Sequence, residues 1–280
     1  MRISAKPQIK LIKMVTIAVA NQKGGVGKTT LAFNLSQILA ARNGGRVLAI
    51  DNDPQGNLTS SFLEDPSKLK GNILDAYQDH PLRPQKISDS LDFLGSDITL
   101  SPVSEKDFQV VFALKEAFQK LQKDTNQVYN YVIIDCLPSF GHLQLAALNA
   151  ADYVLIPVKP APYALFGLKD LFRIIEKVRK YFNPNLKLLG IVINQVDGRK
   201  LVMEREMEEA LRERYKELVL KTKISKRIKV EESPAFQKPI TAYHPNDKSA
   251  KEFYALAKEI IKRLEQMKFE LPSFEGEKKR

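Results

Sequence analysis

Short, almost wholly apolar runs alternate along the chain with longer stretches whose apolar residues recur at helical spacing. Residues 14–20 (MVTIAVA) are rich in β-branched side chains with no polar face, which predicts a strand buried on both sides. Residues 29–41 follow, with Leu31, Leu35, Ile38 and Leu39 on one helical face. Residues 47–50, 91–94, 131–134, 154–157 and 188–193 predict five further strands. Helical patterns occupy 108–122, 142–150, 165–181, 200–214 and 249–268, the last with Phe253, Leu256, Ala257, Ile260, Ile261 and Leu264 in register. Continuous apolar strands alternating with helices require a mostly parallel, twisted sheet with helices on both faces, an α/β fold. Residues 64–90 break the rhythm with Pro66, Pro81 and Pro84 and predict a loop-rich excursion with at most one helix.

The 280 residues suit one large α/β domain or two small ones. The unbroken alternation predicts one domain over 14–268, between a basic arm at 1–13 and a flexible, charged tail at 269–280. A hydrophobic share of 44% with 28% charged residues is globular composition. The single cysteine, Cys136, excludes an intrachain disulfide framework and any Cys-rich zinc or iron–sulfur site built by one chain. No run reaches the roughly 20 apolar residues of a membrane span. The basic start followed by apolar residues superficially resembles an export signal. However, Lys10 and Lys13 interrupt it, and Asn21-Gln22-Lys23 stands where a small-residue cleavage site would be. A cytoplasmic protein is expected.

Charge adds a constraint. Lys and Arg number 44 against 33 Asp and Glu, a net +11, which fits either an acidic ligand or partner or a merely solvated basic surface. Two stretches concentrate the excess without any acid: 1–23, with Arg2, Lys6, Lys10, Lys13 and Lys23, and 221–229, with Lys221, Lys223, Lys226, Arg227 and Lys229. Lysines and arginines without base-reading neighbours predict contact with phosphates, independent of sequence and sensitive to salt.

The chemistry centres on Lys23-Gly24-Gly25-Val26-Gly27-Lys28-Thr29-Thr30, between the first strand and the first helix. Glycines at this junction let successive backbone N–H groups, from Gly24 through Gly27, turn towards phosphates. The helix aims its positive end at the same charge. Lys28 can reach β- and γ-phosphates, the Thr29 hydroxyl can hold Mg²⁺, and Thr30 adds a hydroxyl hydrogen bond. A turn that merely joined strand to helix would explain one or two glycines, not three with Lys-Thr-Thr at this offset. Asp51 and Asp53, in Asp51-Asn52-Asp53-Pro54-Gln55-Gly56-Asn57, follow a parallel strand at the end where such folds bind ligands. Asp135 ends the apolar strand at 131–134, a position from which a carboxylate holds Mg²⁺ through water. Cys136, with no base evident nearby, reads as packing.

Lys23 ahead of the two glycines makes the loop x-K-G-G-x-x-K-T, the deviant Walker A pattern. With Asp51-x-Asp53-Pro54-Gln55 and the strand ending in Asp135, the chain resembles the ParA/MinD family of P-loop ATPases from about residue 15 to 268. It is most similar to the partition ATPases, ParA/Soj. The resemblance implies ATP and Mg²⁺ as cofactors and a nucleotide-dependent homodimer in which Lys23 reaches the partner's phosphates. It implies that Asp53 positions the attacking water, that Asp51 supports the metal or the switch geometry, and that Asn194 and Pro239 flank the adenine. Arg199 and the 221–229 lysines match positions where partition ATPases carry DNA-binding residues. Non-specific double-stranded DNA, a ParB-like centromere-binding partner and a nucleoid location are therefore expected. The same ATPase could instead position a chemoreceptor array or a microcompartment, and a small-molecule kinase would need an acceptor pocket that the sequence does not identify.

Two departures stand out. Leu137 replaces a proline of the family's Cys-Pro-Pro-Ser, and Ala161-Pro162 replaces a usual Glu-Tyr. One cysteine is too few for a nitrogenase iron protein. Residues 270–276 (ELPSFEG) do not suit the amphipathic membrane helix of MinD-like relatives, so no membrane contact is expected. No helix-turn-helix domain like the one that precedes the ATPase in larger partition proteins is read in these residues, and operator-specific autoregulation is not expected.

Overall fold

The computed structural model describes residues 14–42, 45–124, 129–197, 199 and 202–266; the expected arm at 1–13 and tail at 269–280 lie outside them. In chain order the elements are β1 (Val15–Val19), α1 (Lys28–Ala41), β2 (Val47–Asn52), α2 (Asn57–Phe62), α3 (Leu74–Tyr77), β3 (Gln85–Ser88), β4 (Leu91–Leu94) and α4 (Val110–Asp124). They continue with β5 (Tyr131–Cys136), α5 (His142–Ala150), β6 (Tyr153–Val158), α6 (Ala164–Tyr181), β7 (Lys187–Val196) and α7 (Val202–Tyr215). The last are β8 (Val219–Ser225), α8 (Ile228–Glu232), α9 (Ile240–Tyr243) and α10 (Lys248–Gln266).

The strands form one sheet in the order β3-β4-β2-β5-β1-β6-β7-β8, parallel except for β3. Alternate side chains feed two cores. Ile17 and Val19 of β1 face the layer of α1 and α10, with Phe33, Leu35, Phe253 and Leu256. Ala18 faces the layer of α4, α5 and α6, with Leu114, Leu143 and Phe172. Each fully buried Leu or Phe contributes roughly 1.5–3 kcal/mol, so the two-sided burial of β1, β2 and β5 makes the sheet centre a rigid base. The chain leaves β1 through α1 towards β2 and later crosses from β5 to β6 on the other side of β1. That reversal opens a crevice at the carboxyl ends of the central strands.

All six expected strands form, and two more join them. β3 lies inside the proline-bearing excursion and pairs antiparallel with β4; its alternating half-buried pattern is that of a short polar edge strand. β8 closes the other edge, with exposed Lys221 and Lys223 alternating with partly buried or buried neighbours. The excursion also holds a 3₁₀ turn at Pro66–Lys68 and the short α3.

Candidate functional site

The loop from Asn21 to Gly27 joins β1 to α1 inside this crevice. Asn21 fastens it to β6 by donating to the Pro157 carbonyl (2.7 Å) and accepting the Lys23 N–H (3.0 Å). Asn194, near the end of β7, fastens the far side by donating from Nδ2 to the Val26 carbonyl (2.7 Å). Gly27 is left-handed (φ 84°), and a Cβ there would lie 2.3 Å from Asn194 Nδ2, so only glycine fits. α1 starts with neither a side-chain cap nor an acidic residue in its first turn, which leaves its positive end uncompensated towards the loop.

Lys28 is buried, and its ammonium donates to the Lys23 carbonyl (3.1 Å). Burial lowers its pKa, against the opposing pull of Asp135, Cys136 and Asp53. Asp51 on β2 stands in register with Asp135 on β5, and both are buried. Their hydrogen bonding differs. Asp51 Oδ2 accepts the Thr59 N–H (2.8 Å) and hydroxyl (2.8 Å), and Oδ1 accepts the Asp53 N–H (3.2 Å). Both oxygens of Asp135 are without a hydrogen-bond partner. The Thr29 hydroxyl is near enough to lower the Asp135 pKa but makes no ordinary hydrogen bond to it. Burial, and then the neighbouring Asp51, push the Asp135 carboxyl well above its usual range. Burial raises Asp51 to about 7 despite its three hydrogen bonds. Burial also pushes the Cys136 thiol up, which suits packing rather than nucleophilic chemistry.

Asp53 is nearly buried, its carboxylate accepting the Gln55 N–H (3.0 Å) at the turn into α2. A backbone cradle, a buried ammonium and an unpaired buried carboxylate are the components of a site for a polyphosphate with a cation. The unpaired Asp135 oxygens and the nearby Thr29 hydroxyl are hard oxygen donors, a fit for Mg²⁺. Among the described residues no group of three or more His, Cys, Asp or Glu could cage a metal ion, so such an ion would draw its other ligands from water and phosphate.

Beside the loop lies a small cleft lined by Thr30, Asn194, Gln195, Ser225 and Arg227 among others. Pro239 is outside that lining. It precedes Ile240, whose N–H donates to Asn34 of α1 (2.8 Å). The Lys23 ammonium donates to the carbonyl of Pro162 (3.1 Å), in the departing Ala161-Pro162 segment.

The basic residues are less free than their sequence suggests. Arg199 chelates Asp197 (2.6 and 3.0 Å), Lys223 pairs with Glu208 (2.8 Å), and Lys229 lies 3.7 Å from Asp247. Arg227 is half-buried at the cleft, its Nε without a partner. Lys221 and Lys226 are exposed and make no ion pair among the described residues. For Lys223 and Lys229 local sequence hid this pairing because the acids come from α7 and the turn before α10, whereas Asp197 stands two residues from Arg199. Local sequence also hid Asn21 as a site neighbour, despite its place at the mouth of the glycine loop, and pointed to Arg227 only as one of the basic residues of 221–229. Among the described residues no helix is long and apolar enough to cross a membrane.

Fold and loop together define a P-loop α/β nucleotide-binding domain. A family model described as "AAA domain" (AAA_31) matches residues 14–188. The chain is 36% identical to the chromosome partitioning protein ParA of Myxococcus xanthus over 258 residues, 88% of each chain. It is 35% identical to the chromosome-partitioning ATPase Soj of Thermus thermophilus over 266 residues, 91% of this chain and 98% of that one. Among solved structures it resembles a protein described as cobyrinic acid a,c-diamide synthase from Mycobacterium smegmatis, with bound ADP and magnesium. That likeness has a TM-score of 0.76 and 30% identity over 94% of this chain and 100% of that one. It also resembles a putative plasmid partition protein from Borrelia burgdorferi bound to AMPPNP (TM-score 0.74, 27% identity, 91% and 100% coverage). The chain belongs to the ParA/Soj family of partition ATPases.

Proposed function

We propose that this chain hydrolyses ATP with Mg²⁺ and uses the ATP-bound state, a two-fold dimer, to hold DNA without sequence preference. The observation that carries the reading is buried Lys28 beside unpartnered Asp135, under a glycine cradle. The backbone from Gly24 to Gly27 and the Lys28 ammonium bind the phosphates, with Thr30 adding a hydroxyl. Thr29 and Asp135 would hold Mg²⁺, which would neutralise charge on the phosphate oxygens. Asp53 orients water for attack at the γ-phosphorus; the bond to the bridging oxygen breaks, giving ADP and phosphate. Lys23, whose ammonium turns to Pro162, acts across the dimer on the partner's phosphates. Asn194 and Pro239 flank the base.

Dimerisation aligns the basic surfaces of two subunits, including Lys221 and Lys226, and multiplies a weak phosphate affinity. A ParB-like partner would stimulate hydrolysis and release the dimer, giving a nucleoid-associated cycle of partition. The test is sedimentation with non-specific duplex DNA in ATP, ADP or no nucleotide. Retention in ATP alone is expected; equal retention in all three would sink the switch. Hydrolysis in the absence of any organic acceptor separates this reading from a metabolic P-loop enzyme.

A further inference from the structure

The turn that carries Asp53 is held from behind. Asp51 closes both of its ends, accepting the Asp53 N–H on one oxygen and Thr59 on the other. Thr59 makes both bonds to that oxygen, and its hydroxyl also accepts the Ser96 N–H just past β4 (2.9 Å). Within the turn, the Asp53 carbonyl accepts the Gly56 N–H (3.0 Å). Gly56 is left-handed (φ 64°), and a Cβ there would lie 3.0 Å from the Ser96 carbonyl, so the segment just past β4 presses directly on the turn. Gly95, one residue earlier, exchanges backbone bonds with the excursion, from its N–H to Gly71 and from the Ile73 N–H to its carbonyl (2.8 Å each). A continuous hydrogen-bonded path thus runs from Gly71–Ile73 through Gly95, Ser96, Thr59 and Asp51 to Asp53.

We propose that Thr59 is a positioning residue for hydrolysis: its hydroxyl locks Asp51 and thereby fixes Asp53 against the attacking water. The inference rests on the water-orienting role given to Asp53 above. Asp53 and its water need alignment within a fraction of an ångström, and small displacements are costly in rate. Nucleotide binding depends on the glycine loop and Lys28, which Thr59 does not touch. Loosening Thr59 therefore slows the chemical step and spares affinity.

The test compares Thr59→Val, Thr59→Ala and Thr59→Ser with the unaltered chain. Valine and alanine should lower kcat by roughly tenfold while KM and the Kd of a fluorescent ATP analogue stay within about twofold. Amide exchange over 53–59 should quicken in both without nucleotide, and serine should restore rate and protection. Ser67→Ala, an exposed serine of the excursion bonded to Asp65, should leave kcat unchanged. Alanine deletes the hydroxyl without placing a methyl group against the buried carboxylate, so it decides the matter should valine not fold. Unchanged kcat in the alanine variant, or an equal fall in the serine variant, would overturn the proposal. If the unaltered chain hydrolyses no ATP, the functional reading fails instead, and the exchange data still report whether Thr59 holds the turn.

Discussion

Asp92 and Asp135 are two carboxylates of one sheet, equally buried and at opposite poles. At the amino pole Asp92 accepts from Arg46 Nε (2.9 Å) and the Tyr129 hydroxyl (2.7 Å) and is ion-paired with Arg46 Nη2 (2.7 Å). At the carboxyl pole Asp135 accepts nothing. A buried carboxylate without partners is costly, and a fold keeps one only where something outside the chain completes it. The protein thus neutralises one pole itself and leaves the other to a ligand. Asp51 stands between these cases, bonded three times but only to its own turn.

Substitution should separate the poles. Lys28→Ala and Asp135→Ala should each cut ATP hydrolysis by at least about a hundredfold, measured as phosphate release. Comparable activity in the Asp135 variant would erase the distinction. Next, Asp92→Ala should lower unfolding free energy by roughly 2–4 kcal/mol, read in urea, because Arg46 and Tyr129 lose their shared acceptor. Asp135→Asn should cost nothing in that assay without nucleotide. Equal losses would make both structural.

A smaller effect is expected from pH. Asp51 is raised from 3.8 to about 7 on folding. Its contribution is complete below the lower value, shrinks as pH rises between the two, and is gone above the higher. Without Mg²⁺, the stability difference between the unaltered chain and Asp51→Asn should therefore change across that window and flatten on either side. The smallest separation concerns cations. Lys221→Ala and Lys226→Ala should each weaken ATP-dependent DNA binding and reduce its salt slope by about one. Arg199→Ala should do less, since Asp197 already occupies its guanidinium.

The same contrast explains what the sequence revealed. Lys28 and the glycine loop were legible because phosphate chemistry demands those residue types at fixed spacing along one strand–loop–helix unit, and Asp135 because it closes an apolar strand. The six buried strands were legible because two-sided burial leaves no polar face. The partners of Asp92 were not, since Arg46, Asp92 and Tyr129 meet only when β2, β4 and β5 align. The acids facing Lys223 and Lys229, and the hold of Thr59 and Ser96 on the switch turn, are likewise products of tertiary packing. β3 and β8 escaped because edge strands carry half-polar patterns that resemble loops.

Asp135 is left unpaired so that it can serve a cation with the nucleotide. Titration of ATP with and without Mg²⁺, in the unaltered chain and in Asp135→Asn, tests it directly. The predicted result is that Mg²⁺ tightens ATP binding to the unaltered chain and loses that effect in the variant. An identical Mg²⁺ dependence in both would contradict the account.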